Sequence, residues 1–127
     1  MKSFSIRTQR RTQFVDITRE VQSAIAHLAI KNSVVTIFVP HTTAGITINE
    51  NADPDVTSDI ADALDKAVPW QAQYKHSEGN TAAHVKASMM GSSVQAIVED
   101  GQLQLGTWQA IYFCEFDGPR SRNVWLA

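Results

Sequence analysis

Three histidines, two adjacent threonines, a set of carboxylates and a pair of arginines stand where the chain changes direction. The stretch "VPHTTAGITINENADPDV", Val39 to Val56, sets His41, Thr42 and Thr43 behind one apolar run and Asn49 and Glu50 behind the next. "KHSEGNTAAH" adds His76, Glu78 and His84, and "CEFDGPRSR" adds Glu115, Asp117, Arg120 and Arg122. Element ends and loops are where binding and catalytic groups collect. The question is what chemistry such a set could do.

Zinc sites take three neutral imidazoles and an open position, and His41, His76 and His84 could supply them. Their spacing is not a local metal motif, so convergence depends on the fold; the alternative is three satisfied polar residues at element ends. His27 reads as a surface or packing residue of a helix. Guanidinium forks match phosphate bidentately, and the Gly-Pro turn before Arg120 and Arg122 limits the freedom lost on binding. The alternative is two arginines paired with Glu115 and Asp117. Thr42, Thr43 and the positive end of a helix opening at Asn80 add capacity for an anion. Cys114 falls on one strand face with Trp108, Ala110, Tyr112 and Phe116, which predicts a packed, inert thiol.

The elements that must position these groups follow from periodicity. "FSIRTQRRTQFVDIT" predicts two strands around a basic turn at Arg10 and Arg11. "TREVQSAIAHLAI" predicts a helix with Thr18 as N-cap and Val21, Ile25 and Leu28 on one stripe. "SVVTIFVP" and "AGITINE" are strands. "DPDVTSDIADALDKAV" opens a helix with Asp53 as N-cap and Pro54 at the first position; Val56, Ile60, Leu64 and Ala67 form its expected buried stripe. Asp55, Asp59 and Asp62 opposite them make an ordinary solvated face.

Residues 69–80 form one long irregular stretch, uncommon in a compact domain unless functional. "TAAHVKASMMG" is a short helix between Asn80 and Gly91. "SSVQAIVE", Asp100-Gly101 and "QLQLG" make a hairpin; "TWQAIYFCEF" and "NVWLA" complete the strands. The order ββα-ββα-α-ββββ predicts a single α+β domain over residues 1–127, a compact, mainly antiparallel sandwich or barrel with helices on one side.

Composition bounds the rest. A chain of 127 residues, 43% apolar and 19% charged, buries a real core. Eleven basic against 13 acidic side chains give −2, which speaks against a nucleic-acid partner. No apolar run approaches the ~20 residues that span a bilayer, so no membrane partner is expected. One cysteine and no signal-peptide pattern in "MKSFSIRTQ" lead us to expect a cytoplasmic protein.

"HTTAGITINENADPDV", "HSEGNTAAHVKASMMGSS" and "LGTWQAIYFCEFDGPRSRNVWL" resemble, in order and over nearly the whole chain, the YjbQ-like family, also called secondary thiamine-phosphate synthase enzymes. The resemblance implies a homotrimer of α+β sandwich or barrel-like domains. It also implies a weak, secondary transferase activity that joins a pyrimidine diphosphate to a thiazole phosphate and releases pyrophosphate. A pocket would then map onto His41, Thr42, Asn49, Glu50, His76, His84, Glu115 and Arg120, with the strand ends at His41 and Glu50 as one wall.

His41, Glu50 and His84 are the catalytic candidates; Thr42, Thr43, Asn49, Glu115, Arg120 and Arg122 are candidates for holding a small phosphorylated substrate. A divalent zinc or magnesium ion would fall to His41, His76 and His84. Glu50 would hold a cation or orient the pyrimidine amine. Two alternatives stay open. One is a metal-dependent hydrolase of a small phosphorylated or carboxylated molecule, and the other a ligand-binding trimer without turnover. In the homotrimer that the resemblance implies, the apolar strand "NVWLA" would put Trp125 at or near a subunit interface.

Overall fold

Alternation of inward and outward residues sorts the strands of the chain into two antiparallel sheets. The computed structural model describes residues 1–127. Its elements are β1 (Lys2–Arg7), β2 (Gln13–Asp16), α1 (Thr18–His27), β3 (Ser33–Phe38), β4 (Ala44–Glu50) and α2 (Pro54–Ala67), then α3 (Thr81–Met90), β5 (Ser93–Glu99), β6 (Gln102–Gln104), β7 (Gln109–Glu115) and β8 (Ser121–Leu126). One sheet has five strands in the order β1-β8-β3-β5-β6, and the other three in the order β2-β7-β4. The sheets curl around a shared core, so the α+β class expected from the element order is the class observed.

β1 and β2 do not pair with each other. β1 joins β8 and β2 joins β7, in different sheets. The basic turn between them is tied to the last turn of the chain instead: Thr8 N–H donates to Arg120 O at 2.8 Å and Gly118 N–H to Arg11 O at 3.1 Å. A Cβ on Gly118 would stand 2.2 Å from Arg10 O, so only glycine allows that approach.

β7 is covered on both faces. Ile111 and Phe113 enter the main core with Ile25 and Val21 of α1, Ile37 of β3, Ile46 of β4 and Leu126 of β8. Ala110, Tyr112 and Cys114 turn outward, where with Phe116 they meet Ala83 and Ala87 of α3. Full burial of each large apolar side chain contributes about 1.5–3 kcal/mol.

The helices show where sequence cues hold and where tertiary contacts prevail. Asp53 accepts from Asp55 N–H at 2.9 Å and Pro54 opens α2, as expected. Asp100 and Gly101 have φ of 51° and 76°, the pair of positive angles a type I′ hairpin needs. Thr18 is not a cap: Ile17 takes that position, and the Thr18 hydroxyl accepts from Ile111 N–H at 2.9 Å, tying α1 to β7. The stripe expected to bury α2 does so only in part. No residue of α2 is buried, and Ala67 is exposed. Leu64 reaches the margin of the outer cluster; the helix is otherwise tethered by the ion pair of Asp65 with the buried Lys86 of α3. Just beyond it, Arg11 stacks 4.1 Å over the Trp70 ring.

α3 lies close against β4. A Cβ on Gly45 would come within 2.9 Å of Gly91 O, and Ile46 N–H donates to that same carbonyl at 3.1 Å. Ala44 pairs with Glu115 across the sheet. This contact brings the start of β4, the end of β7 and α3 together.

Cys114 has no exposed surface, and burial pushes its thiol up to about 12. It is a core residue. Cys114→Ser should lower unfolding stability by about 1–3 kcal/mol, because a hydroxyl would enter an apolar site; the urea midpoint measures this. An unchanged midpoint would contradict the packing described.

Candidate functional site

The site is organised from below by a buried ion pair. Glu115 ends β7 with no exposed surface. Its Oε1 accepts from the Thr8 hydroxyl at 2.8 Å and from Arg122 Nε at 2.9 Å. Its Oε2 accepts from Arg122 Nη2 and from the N–H groups of Phe116 and Asp117 at 3.1 Å each. Burial alone would push this carboxyl up, but the Arg122 guanidinium, the Thr8 hydroxyl and the Asp117 N–H hold it below the ordinary carboxylate range. Arg122 Nη2 also donates to the Thr43 hydroxyl at 2.8 Å. Its Nη1 has no acceptor in the protein.

Above this pair lies an open cleft of about 680 Å³. Four segments line it: Phe38 to Thr43 leading into β4, His76 to Asn80 with His84 around the start of α3, Ser92, and Asp117 with Arg120 and Arg122. Arg120 repeats the arrangement of Arg122. Its Nε donates to Asp117 O at 2.7 Å and its Nη2 to Asp117 Oδ2 at 2.9 Å, which leaves Nη1 uncommitted. Both readings of the arginines are therefore realised together: each is paired with a carboxylate, and each lines the cleft.

The imidazoles differ from one another. Asn123 N–H donates to His41 Nε2 at 2.9 Å, so this ring is neutral and carries its proton on Nδ1. Burial, then the nearby Arg122 charge, lower its pKa below the ordinary histidine value. His76 and His84 sit edge to face with centroids 5.6 Å apart, and His76 Nε2 lies 3.9 Å from Glu78.

Within one chain this donor set does not gather around a metal. No group of three histidine, cysteine, aspartate or glutamate side chains gathers closely enough to hold one. His41 could ligate through Nδ1 only by placing its proton on Nε2, where the Asn123 N–H already points. The expected ligand trio of His41, His76 and His84 is thus not assembled within one chain.

Two other expectations are corrected by strand geometry. Asn49 and Glu50 lie at the far end of β4, opposite Ala110 and Gln109; six residues at about 3.3 Å each separate Ala44 from Glu50 by ~20 Å. They do not line the cleft, and the two strand ends do not form one wall. Glu115 belongs beneath the cleft, its oxygens filled by protein donors. Thr42, Thr43, Arg120 and Arg122 line it with His41, His76 and His84.

Sequence reasoning noted Asn80 only as a helix cap and did not reach Ser92, which follows Gly91 without any local signal. Asn80 does not cap α3 with its side chain. Its Nδ2 donates to Asp117 Oδ2 at 2.9 Å instead. An asparagine at the end of a long loop was the available clue. Lys86, also unforeseen, stands among alanines of α3 and is 2% exposed.

The ion pair makes a pH prediction. The folded carboxyl of Glu115 is lowered, so its contribution is present above the unfolded value of about 4.3 and fades as pH falls through the folded one. Glu115→Gln should lose about 3–5 kcal/mol at pH 7, because Arg122 is left buried and uncompensated. It should also lack the steepest part of the wild-type decline in acid. Denaturant midpoints from pH 2 to 7 test both; parallel curves would refute the assignment.

A family model described as UPF0047 protein YjbQ-like matches residues 2–127. The chain is 52% identical over 127 residues to the UPF0047 protein YugU of Bacillus subtilis, covering 99% of this chain and 96% of that one. It is 49% identical over 123 residues to a UPF0047 protein of Methanocaldococcus jannaschii, covering 97% and 89%. A crystal structure of a YjbQ/UPF0047 family protein from Clostridium acetobutylicum superposes with a TM-score of 0.97 at 55% identity, over 100% of this chain and 98% of that one. A conserved protein from Thermus thermophilus gives 0.93 at 39%, over 100% and 98%. Sequence and fold agree along the whole length, and the chain belongs to the YjbQ-like UPF0047 family.

Proposed function

We propose that the cleft seats the phosphate end of a small phosphorylated substrate and favours departure of diphosphate, as a thiamine-phosphate-synthase-like transferase requires. One observation carries this reading. Arg120 and Arg122 are both anchored through Nε and Nη2, both line the cleft, and both leave Nη1 without an acceptor. Anchored guanidiniums lose little freedom when they meet phosphate oxygens.

In the reaction that the family resemblance implies, the thiazole nitrogen gives its lone pair to the pyrimidine methylene carbon. The C–O bond to diphosphate breaks, and the oxygen leaves with that electron pair. Charge develops on the leaving group, so the groups that matter are donors placed around it. Arg120, Arg122, the Thr42 hydroxyl and His41 Nδ1–H are those donors. Glu50, ~20 Å along β4 from the cleft, takes no part. Asp117 tempers the charge of Arg120, which suits a modest affinity and a secondary activity. The setting we assign is cytoplasmic.

The same reading uses a homotrimer. Val34, Phe38, Ile97 and Trp125 are exposed on the outer face of the five-stranded sheet, with the Phe38 and Trp125 rings stacked at 5.7 Å. Phe38 also lines the cleft. A second copy of the chain is the occupant we assign to this face, beside the site.

Three experiments test these statements. Titration calorimetry with pyrophosphate should show affinity about tenfold weaker in Arg120→Ala, the loss of roughly 1.5 kcal/mol from a half-exposed charged donor. Wild-type protein given the pyrimidine diphosphate and thiazole phosphate should release pyrophosphate. Binding without release would leave a ligand-binding protein, and unchanged affinity in Arg120→Ala would remove the anion site. For assembly, sedimentation should give three times the 14.0 kDa chain mass, and Trp125→Glu should dissociate it. A stable wild-type monomer at micromolar concentration would rule the trimer out.

A further inference from the structure

The cleft does not end at His41 and His84. A second recess of about 510 Å³ adjoins it, and His41, Thr42, His84 and Ser92 line both. The remaining walls of this recess are Ala44 at the start of β4, Ala87 and Ser88 of α3, and Gly91 at its end. His84, Ser88 and Gly91 stand at i, i+4 and i+7, on one face of the helix. The two recesses therefore make one trench that follows α3 for ~10 Å beyond His84. Each has a volume within the ~300–1,000 Å³ of ordinary small-molecule sites.

Charge is divided sharply between them. Arg120, Arg122, Glu78 and Asp117 line the first recess, whereas no carboxylate, guanidinium or ammonium group lines the second. Its walls are small: two buried alanines, a glycine, hydroxyls and the two imidazoles, of which His41 is neutral because its Nε2 accepts from Asn123 N–H. The Ser88 hydroxyl already donates to His84 O at 2.9 Å. A charged group seated here would lose water without gaining a counter-charge, which is costly, while an uncharged one loses little. The contact between α3 and β4 fixes the floor in advance. Gly45 leaves no room for a Cβ against Gly91 O, and Ile46 N–H donates to that carbonyl.

We infer that the ligand is an organic phosphate or diphosphate ester with an uncharged organic group about the size of one aromatic ring, and that this group occupies the second recess while the phosphate faces Arg120 and Arg122. The inference rests on the anion site proposed above and names the other half of its ligand. Ser88 is then a specificity-determining position, because it lines the second recess and not the first.

The test compares inorganic pyrophosphate, methyl phosphate and benzyl phosphate by titration calorimetry on wild-type protein and on Ser88→Trp. Ser88 is exposed, so the indole fills the recess without entering the core. Wild-type protein should bind benzyl phosphate about tenfold more tightly than methyl phosphate, the factor that half-burying an aromatic ring supplies. Ser88→Trp should lose that preference and keep its pyrophosphate affinity. Amide resonances of Ser88 and Gly91 should shift with benzyl phosphate and stay in place with pyrophosphate, a measurement that needs no variant. Equal affinities for the two esters in wild-type protein, or unmoved Ser88 and Gly91 amides, overturn the inference while pyrophosphate binding keeps the anion site standing. A preference that persists in folded Ser88→Trp also overturns it. Failure of all three probes to bind removes the anion site itself, and the inference with it.

Discussion

A carboxylate with no exposed surface is tolerable only if donors replace its water, and Glu115 draws those donors from across the chain. Thr8 comes from the end of β1, Arg122 from β8, and two N–H groups from the turn that follows β7. Arg122 in turn needs acceptors and holds Thr43 at the approach to β4. Desolvating either ion alone would be strongly unfavourable, so the pair binds the four segments to one another. The walls of the cleft are the visible side of this arrangement.

Anchoring explains why two arginines with carboxylate partners remain useful. A free arginine on a surface loop spreads its charge over many rotamers, and ordering it opposes binding. Arg120 and Arg122 are ordered before any ligand arrives, each through two nitrogens, with the third left over. The neighbouring carboxylates reduce the field, but they fix the direction in which the remaining N–H groups are offered. Asp117 also orders a neutral group, the Asn80 amide, through Nδ2.

Much of this was legible in the sequence because it depends on local rules. Strict alternation along β7 separated Cys114 from Glu115 correctly. The Asp53-Pro54 start rests on a side-chain cap and the fixed φ of proline, and the Asp100-Gly101 turn and the Gly91 stop on positive φ angles that few residues adopt. The polar clusters at the start of α3 and at the last turn were visible as clusters. What failed depended on distance through space. His41 and Glu50 are near in sequence, yet an extended strand carries them apart. Nothing local signals that the two strands flanking the basic turn feed different sheets. The proton position on His41 is set by the backbone of Asn123, 82 residues away, which no local pattern could signal. α2 has the amphipathic stripe of a buried helix, and only the fold reveals that little lies beneath it.

That last feature has a bearing on how the molecule breathes. Because α2 buries no residue fully and is held chiefly through Asp65 and the contacts around Leu64 and Trp70, detaching it exposes little apolar surface. Its amides are therefore expected to exchange with solvent deuterium through a subglobal opening of low free energy, while those of β7, covered on both faces, wait for global unfolding. The loop that carries His76 and Glu78 begins where α2 ends. One wall of the cleft is hinged to the part of the chain that lets go first.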